Sequence, residues 1–184
     1  MSMEFDLERK FCRIGGEVSV SDGSVIEGYA SLFGAPDQGG DVVAAGAYAA
    51  CLAGLSARGG KVKMLWQHDP AQPIGVWDEV REDARGLYVK GRILADVAKG
   101  REAIALINAG AIDGLSIGYR TKKASKDAGG KRHLHELELW EVSLVTFPML
   151  PEARVGAKGD APEADTLRGL AAALEDARGL LTRG

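Results

Sequence analysis

Cysteine is scarce in this chain, with only Cys12 and Cys51 among 184 residues. Two thiols at that spacing build neither a disulfide framework nor a cysteine-rich metal site, so free thiols in a reducing compartment are expected. An excess of positive charge is missing too. Lys and Arg number 23 against 26 Asp and Glu, a net charge of -3, which argues against a general nucleic-acid binder. Long apolar runs are also absent. The longest uncharged stretch, residues 42–57, holds 16 residues, short of the ~18 to 20 that a membrane span needs. The first six residues, Met1 to Asp6, lack the basic segment and apolar core of a secretory signal. A soluble intracellular protein is therefore expected.

Glycine is abundant instead. Its 25 residues are about twice the usual ~7% share. They lie without a fixed period between short apolar runs, which predicts many tight turns and excludes collagen-like and solenoid architectures.

Met3, Phe5 and Leu7 alternate with acidic residues, the period of a half-buried strand. Residues 24–33 read as a second strand, residues 46–55 as a short Ala-rich helix, and residues 61–68 as a strand stopped by Asp69-Pro70. Ile74, Val76 and Val80, then Leu87, Val89 and Ile93, form a hairpin about a polar turn at 81–86. A helix follows, with Asp96 as N-cap, Val97, Ile104 and Ile107 at helical spacing and Gly110 as its stop. Residues 116–121 and 133–146 make another hairpin, whose basic tip, 122–132, reads as a solvated loop.

These elements describe one domain over residues 1–150 with a mostly antiparallel sheet, either β-rich α+β or a barrel. A Pro- and Gly-containing linker over 151–165 and a C-terminal amphipathic helix over 166–184 complete the chain. That helix is marked by Leu167, Leu170, Leu174 and Leu181.

Three places carry candidate chemistry. His68, in Trp66-Gln67-His68-Asp69-Pro70, shares a strand face with Met64 and Trp66. Such a histidine serves either structure or catalysis. Gly114-Leu115-Ser116-Ile117-Gly118 matches the G-x-S-x-G nucleophile elbow. That elbow needs a strand before the serine and a helix after it, whereas here the order is reversed. An α/β-hydrolase is thus excluded, and Ser116 stands either in a plain glycine-rich turn or as a nucleophile approachable between two glycines.

Glu141 is the third, on a strand face with Leu137, Leu139, Ser143 and Val145. A carboxylate there needs a partner, and a histidine is the natural one. Glu136 and Glu138 face the other way. His133 and His135 share a face, but nothing completes four ligands around them, so neither a metal nor any other cofactor is expected. Hydroxyl, imidazole and carboxylate together are the set for acyl transfer.

The ordered segments resemble the prohead (procapsid) maturation proteases of tailed bacteriophages, themselves distantly similar to herpesvirus assemblins. They are Gly28-Tyr29-Ala30-Ser31-Leu32-Phe33, Gly40-Asp41-Val42-Val43 with Gly46-Ala47-Tyr48, Met64 through Asp69, Pro73-Ile74-Gly75, Gly110 through Tyr119, and Glu141 through Pro148. The likeness covers about residues 25–155.

It implies a serine endopeptidase on a β-rich α+β, assemblin-like fold, a mostly antiparallel β-barrel surrounded by short helices, with Ser116 as nucleophile, His68 as general base and Glu141 as the third member. Assemblins use a second histidine there, which makes His133 and His135 rivals. The implied substrates are scaffold and major capsid protein inside the immature capsid, in the cytoplasm of the bacterial host. Self-association and self-cleavage in the 151–162 linker belong to the same expectation, and no nucleic-acid or membrane role does. The competing readings are a catalytically inactive capsid-assembly or scaffolding protein that keeps a protease-like fold, and a small-ester hydrolase.

Overall fold

The computed structural model describes residues 8–10, 18–21, 24–37, 39–146 and 155–157, with side chains at 24–37 and 39–146. Among these residues, ten strands form one sheet. They are β1 (Glu8–Lys10), β2 (Val18–Ser21), β3 (Val25–Leu32), β4 (Val42–Val43), β5 (Lys63–Trp66), β6 (Asp69–Glu82), β7 (Gly86–Ile93), β8 (Gly114–Lys126), β9 (Arg132–Val145) and β10 (Val155–Ala157). Helices α1 (Ala49–Ala57) and α2 (Ala98–Asn108) pack on it.

The strand order is β1-β8-β9-β5-β6-β7-β3-β2-β10, with β4 beside β9. Six pairings are antiparallel. The three parallel ones are β5 with β9, β4 with β9 and β10 with β2. The sheet curls into a half-barrel that brings β3 against β8. The barrel of the sequence reading is thus corrected to an open sheet: among the described residues, β1 and β10 end the path and do not pair.

The curl explains the burial pattern. Ile26, Met64, Ile74, Leu87, Val89, Leu115, Ile117, Leu137 and Leu144 are all buried in one cluster. At the ends of β8 and β9 nearest their shared start and finish, successive residues are buried on both faces (Gly114–Tyr119 and Glu141–Val145). Alternation therefore fades where the sheet is wrapped.

Several local readings shift. Val97 rather than Asp96 occupies the N-cap of α2. Gly110 ends that helix as expected, with φ +70. Its N–H reaches Ile107 O and the Ala111 N–H reaches Leu106 O, the paired bonds of a Schellman motif. Helix α1 begins at Ala49 because the Glu82 carboxylate, from the far end of β6, takes the N–H groups of Gly46 and Tyr48 ahead of it.

The basic tip is mostly strand. β8 runs to Lys126 and β9 begins at Arg132, joined by a turn that the Asp127 side chain and Gly130 close. Cross-strand pairs such as Lys122–Glu138 and Ser125–His135 hold this exposed ribbon. It lacks the apolar alternation that would have marked it in the sequence. The linker region includes β10, parallel to β2. The remainder of 151–165, the helix at 166–184 and the strand expected at Met3 to Leu7 lie outside the described residues.

The β6–β7 turn is fastened by Asp83. Its carboxylate accepts from the Arg85 and Gly86 N–H groups, from Arg81 and from the Tyr29 hydroxyl. Desolvation pushes its pKa up, but these donors outweigh that and bring it to about 2. A depressed carboxyl stabilises the fold above its unfolded value near 4 and loses that contribution as pH falls toward 2. Asp83→Asn is therefore expected to lower stability at pH 7, with the deficit shrinking between pH 4 and pH 2. Urea denaturation across that range checks this; a deficit constant with pH contradicts it.

Candidate active site

β5 delivers the first residue of the site. It lies parallel to β9, with Leu65 beside Ser143 and Trp66 beside Leu144. The strand expected to run through residue 68 stops at Trp66. Gln67 and His68 make a two-residue turn with φ of +52 and +61, and Asp69 already pairs back to Trp66 in β6. Left-handed conformations at both central residues are the hairpin geometry that Asn-Gly normally fills. Non-glycine residues in that region cost ~1–3 kcal/mol each and persist where the surroundings hold them.

The hold comes from β9. The Gln67 N–H donates to Leu144 O at 2.9 Å, its side chain donates to Thr146 Oγ1 at 2.6 Å, and the His68 N–H donates to Ser143 Oγ at 3.2 Å. Pro70, Ala71 and Gln72 then bulge out between the Trp66–Asp69 and Leu65–Pro73 pairs. Asp69 ties that bulge to the Ala71 N–H and the Gln72 amide. Proline is tolerated because this stretch leaves the ladder. The predicted stop at Asp69-Pro70 is thereby corrected to the start of β6.

The turn aims the imidazole along the sheet. His68 Nδ1 lies 2.5 Å from Glu141 Oε1, and Nε2 lies 2.7 Å from Ser116 Oγ. Glu141 Oε2 accepts from Ser143 Oγ at 2.5 Å. A carboxylate only accepts, so Nδ1 carries the proton and Nε2 is left to accept from the Ser116 hydroxyl. All four residues are buried: His68 is 8% exposed, Glu141 5%, Ser116 and Ser143 0%. Their polar atoms partner one another, which is what allows them in an apolar interior.

Gly118 makes room for this line. It pairs with Glu141 across β8 and β9, and a Cβ there would come 2.1 Å from Glu141 Oε1. The second glycine of the G-x-S-x-G string thus serves carboxylate clearance rather than an elbow.

His68, Ser116 and Glu141, drawn from three separate strands or turns, meet in one cluster. His133 and His135 do not join it. His133 binds Asp127 at 3.2 Å and His135 binds Ser125 at 2.7 Å, on the far ribbon. Ser125 is nine residues along β8 from Ser116, about 30 Å at strand rise. Among the described residues, no group of three or more His, Cys, Asp or Glu is arranged to hold a metal ion. No helix among them is long and apolar enough to cross a membrane.

Ser143 was not singled out from the sequence, although it stood on the face shared with Glu141. Only the turn at 67–68, invisible to strand alternation, gives its hydroxyl two tasks.

Residues 16–165 match the family described as caudovirus prohead serine protease. The chain belongs to that family. It is 31% identical over 159 residues to the prohead protease of Enterobacteria phage HK97, an alignment covering 85% of this chain and 69% of that protein. Over 102 residues it is 32% identical to the capsid polyprotein of Pseudomonas phage PAJU2, covering 51% of this chain and 15% of the polyprotein. The fold is similar to that of the bacteriophage T4 capsid assembly protease, with a TM-score of 0.58 and 17% identity, covering 77% of this chain and 96% of the other. At that identity the likeness speaks for the fold alone.

As a prohead protease family member with this geometry, the chain should depend on Ser143. Ser143→Ala strips Glu141 Oε2 of its donor and the His68 N–H of its acceptor, a loss of about 1–3 kcal/mol. A drop of that size in urea denaturation is expected, together with greater mobility of the His68 ring by NMR. Unchanged stability and an unchanged ring signal contradict this role.

Proposed function

We propose that this chain is a serine endopeptidase of capsid maturation, acting inside the immature capsid in the host cell. Its substrates in this reading are scaffold and major capsid protein, and its own tail. One observation carries the reading: an unbroken hydrogen-bonded line from Ser116 Oγ through both ring nitrogens of His68 to Glu141. Family membership supplies the protease and the prohead.

The steps follow from that line. Ser116 Oγ attacks the scissile carbonyl carbon while its proton passes to His68 Nε2. Glu141, bonded at Nδ1, holds the ring in the accepting tautomer and stabilises the imidazolium as it forms. Collapse of the tetrahedral species breaks the C–N bond, and the proton on Nε2 goes to the leaving amine. Water, deprotonated by the same nitrogen, then attacks the acyl carbon; the ester C–O bond breaks and Ser116 Oγ takes the proton back from Nε2. The Ser143 hydroxyl keeps the second carboxylate oxygen occupied, so Glu141 cannot turn from the ring without losing a bond.

The test is co-expression with the adjacent capsid gene. Wild type should give shortened capsid protein and a chain whose mass shows loss from its tail; Ser116→Ala should give neither. His68→Ala should slow cleavage by ~10³-fold or more. Identical capsid products with wild type and Ser116→Ala, cut or uncut, would overturn the assignment.

A further inference from the structure

Ser116 has no exposed surface, so no polypeptide reaches it in the closed form described here. β8, the strand that carries it, has β9 on one side and β1 on the other. His68 belongs to the β9 side, since it follows β5, the strand beyond β9. The nucleophile's base is thus on one flank, which leaves the opposite flank of β8 for an arriving backbone.

That flank is held by the chain's own N-terminal strand. β1 runs antiparallel to β8, with Glu8 opposite Tyr119, Arg9 opposite Gly118 and Lys10 opposite Ile117. Among the described residues, the pairing advances one position at a time toward Ser116, as far as its neighbour Ile117.

We propose that this edge of β8 is the seat of the substrate, and that β1 is an internal stand-in that must leave before cleavage. The inference rests on Ser116 being the nucleophile. The partner that fits is an extended polypeptide segment. Its residues before the scissile bond pair, main chain to main chain, with Tyr119, Gly118 and Ile117, which presents the following carbonyl at Ser116. A ladder of backbone bonds accepts many sequences.

A strand at the end of a sheet path, paired on one side alone among the described residues, is among the weaker pairings a fold contains. Being tethered, however, it competes at an effective concentration of about millimolar. Scaffold crowded inside a shell can match that, whereas dilute protein elsewhere cannot. The device thus restrains cleavage until assembly.

The test reads Ser116 directly, without knowledge of the cleavage sequence. The rate of Ser116 modification by a fluorophosphonate is measured by intact mass on the full chain, on Arg9→Pro and Lys10→Pro, and on a chain beginning after residue 10. Displacing β1 should raise the rate about tenfold or more, as freeing a site that is mostly occupied does. A synthetic peptide of residues 5–13, added to the truncated chain, should lower it again. Proline removes a backbone donor without shortening the chain, so two kinds of variant guard against a folding defect in one. Equal rates in every form, with no effect of the peptide, overturn the proposal and leave the nucleophile intact. Absence of any Ser116 adduct in all forms overturns the serine assignment and this inference with it.

Discussion

A carboxylate buried in an apolar sheet is the constraint around which this fold is arranged. Glu141 is 5% exposed, and an unpartnered charge there would cost several kcal/mol. Two donors answer it, the His68 ring and the Ser143 hydroxyl. Each sets a further condition. The ring reaches Glu141 only if the chain reverses at Gln67–His68 in left-handed conformations, and that reversal is held by β9 itself. The carboxylate fits only because residue 118 lacks a side chain. The geometry at Ser116 is then what remains when Glu141 is satisfied.

The three residues come from distant points of the chain: 48 positions separate His68 from Ser116 and 73 separate it from Glu141. They are joined by the parallel pairing of β5 with β9, embedded in an otherwise largely antiparallel sheet. Bulges set the final aim. Opposite Gly118 and Tyr119 the partners on β9 are Glu141 and Leu139, so Trp140 is an extra residue that shifts the register beside the carboxylate. Non-local pairing of this kind is intrinsically slow to form, and the site depends on it.

Much of this was legible in the sequence. The hairpins, the burial of Leu137, Leu139, Glu141, Ser143 and Val145, and the need of Glu141 for a histidine all follow from alternation and the cost of buried charge. So did the failure of the α/β-hydrolase reading, since α2 precedes Ser116, which lies near the start of β8, and no helix follows it directly. The turn at 67–68 was not legible, because Gln-His carries none of the chemistry of a left-handed turn and its stabilising bonds come from residues 143–146. Nor was the β5–β9 pairing, as nothing local distinguishes a parallel neighbour from a hairpin partner. The extension of β8 through 122–126 escaped notice for a related reason: it is held to β9 by charged and polar cross-strand pairs. Which of Glu141, His133 and His135 lies against His68 needed the fold, which brings Glu141 there and places His133 and His135 beside Asp127 and Ser125.

The central claim is that the carboxylate acts through the imidazole as one unit with the serine. A double-mutant cycle on kcat/KM for capsid-protein cleavage tests this most directly, using Glu141→Gln, His68→Ala and the two combined. Residues acting as a unit are strongly non-additive. The account predicts that the double variant is no slower than His68→Ala alone. Independent losses that multiply in the double variant would contradict it.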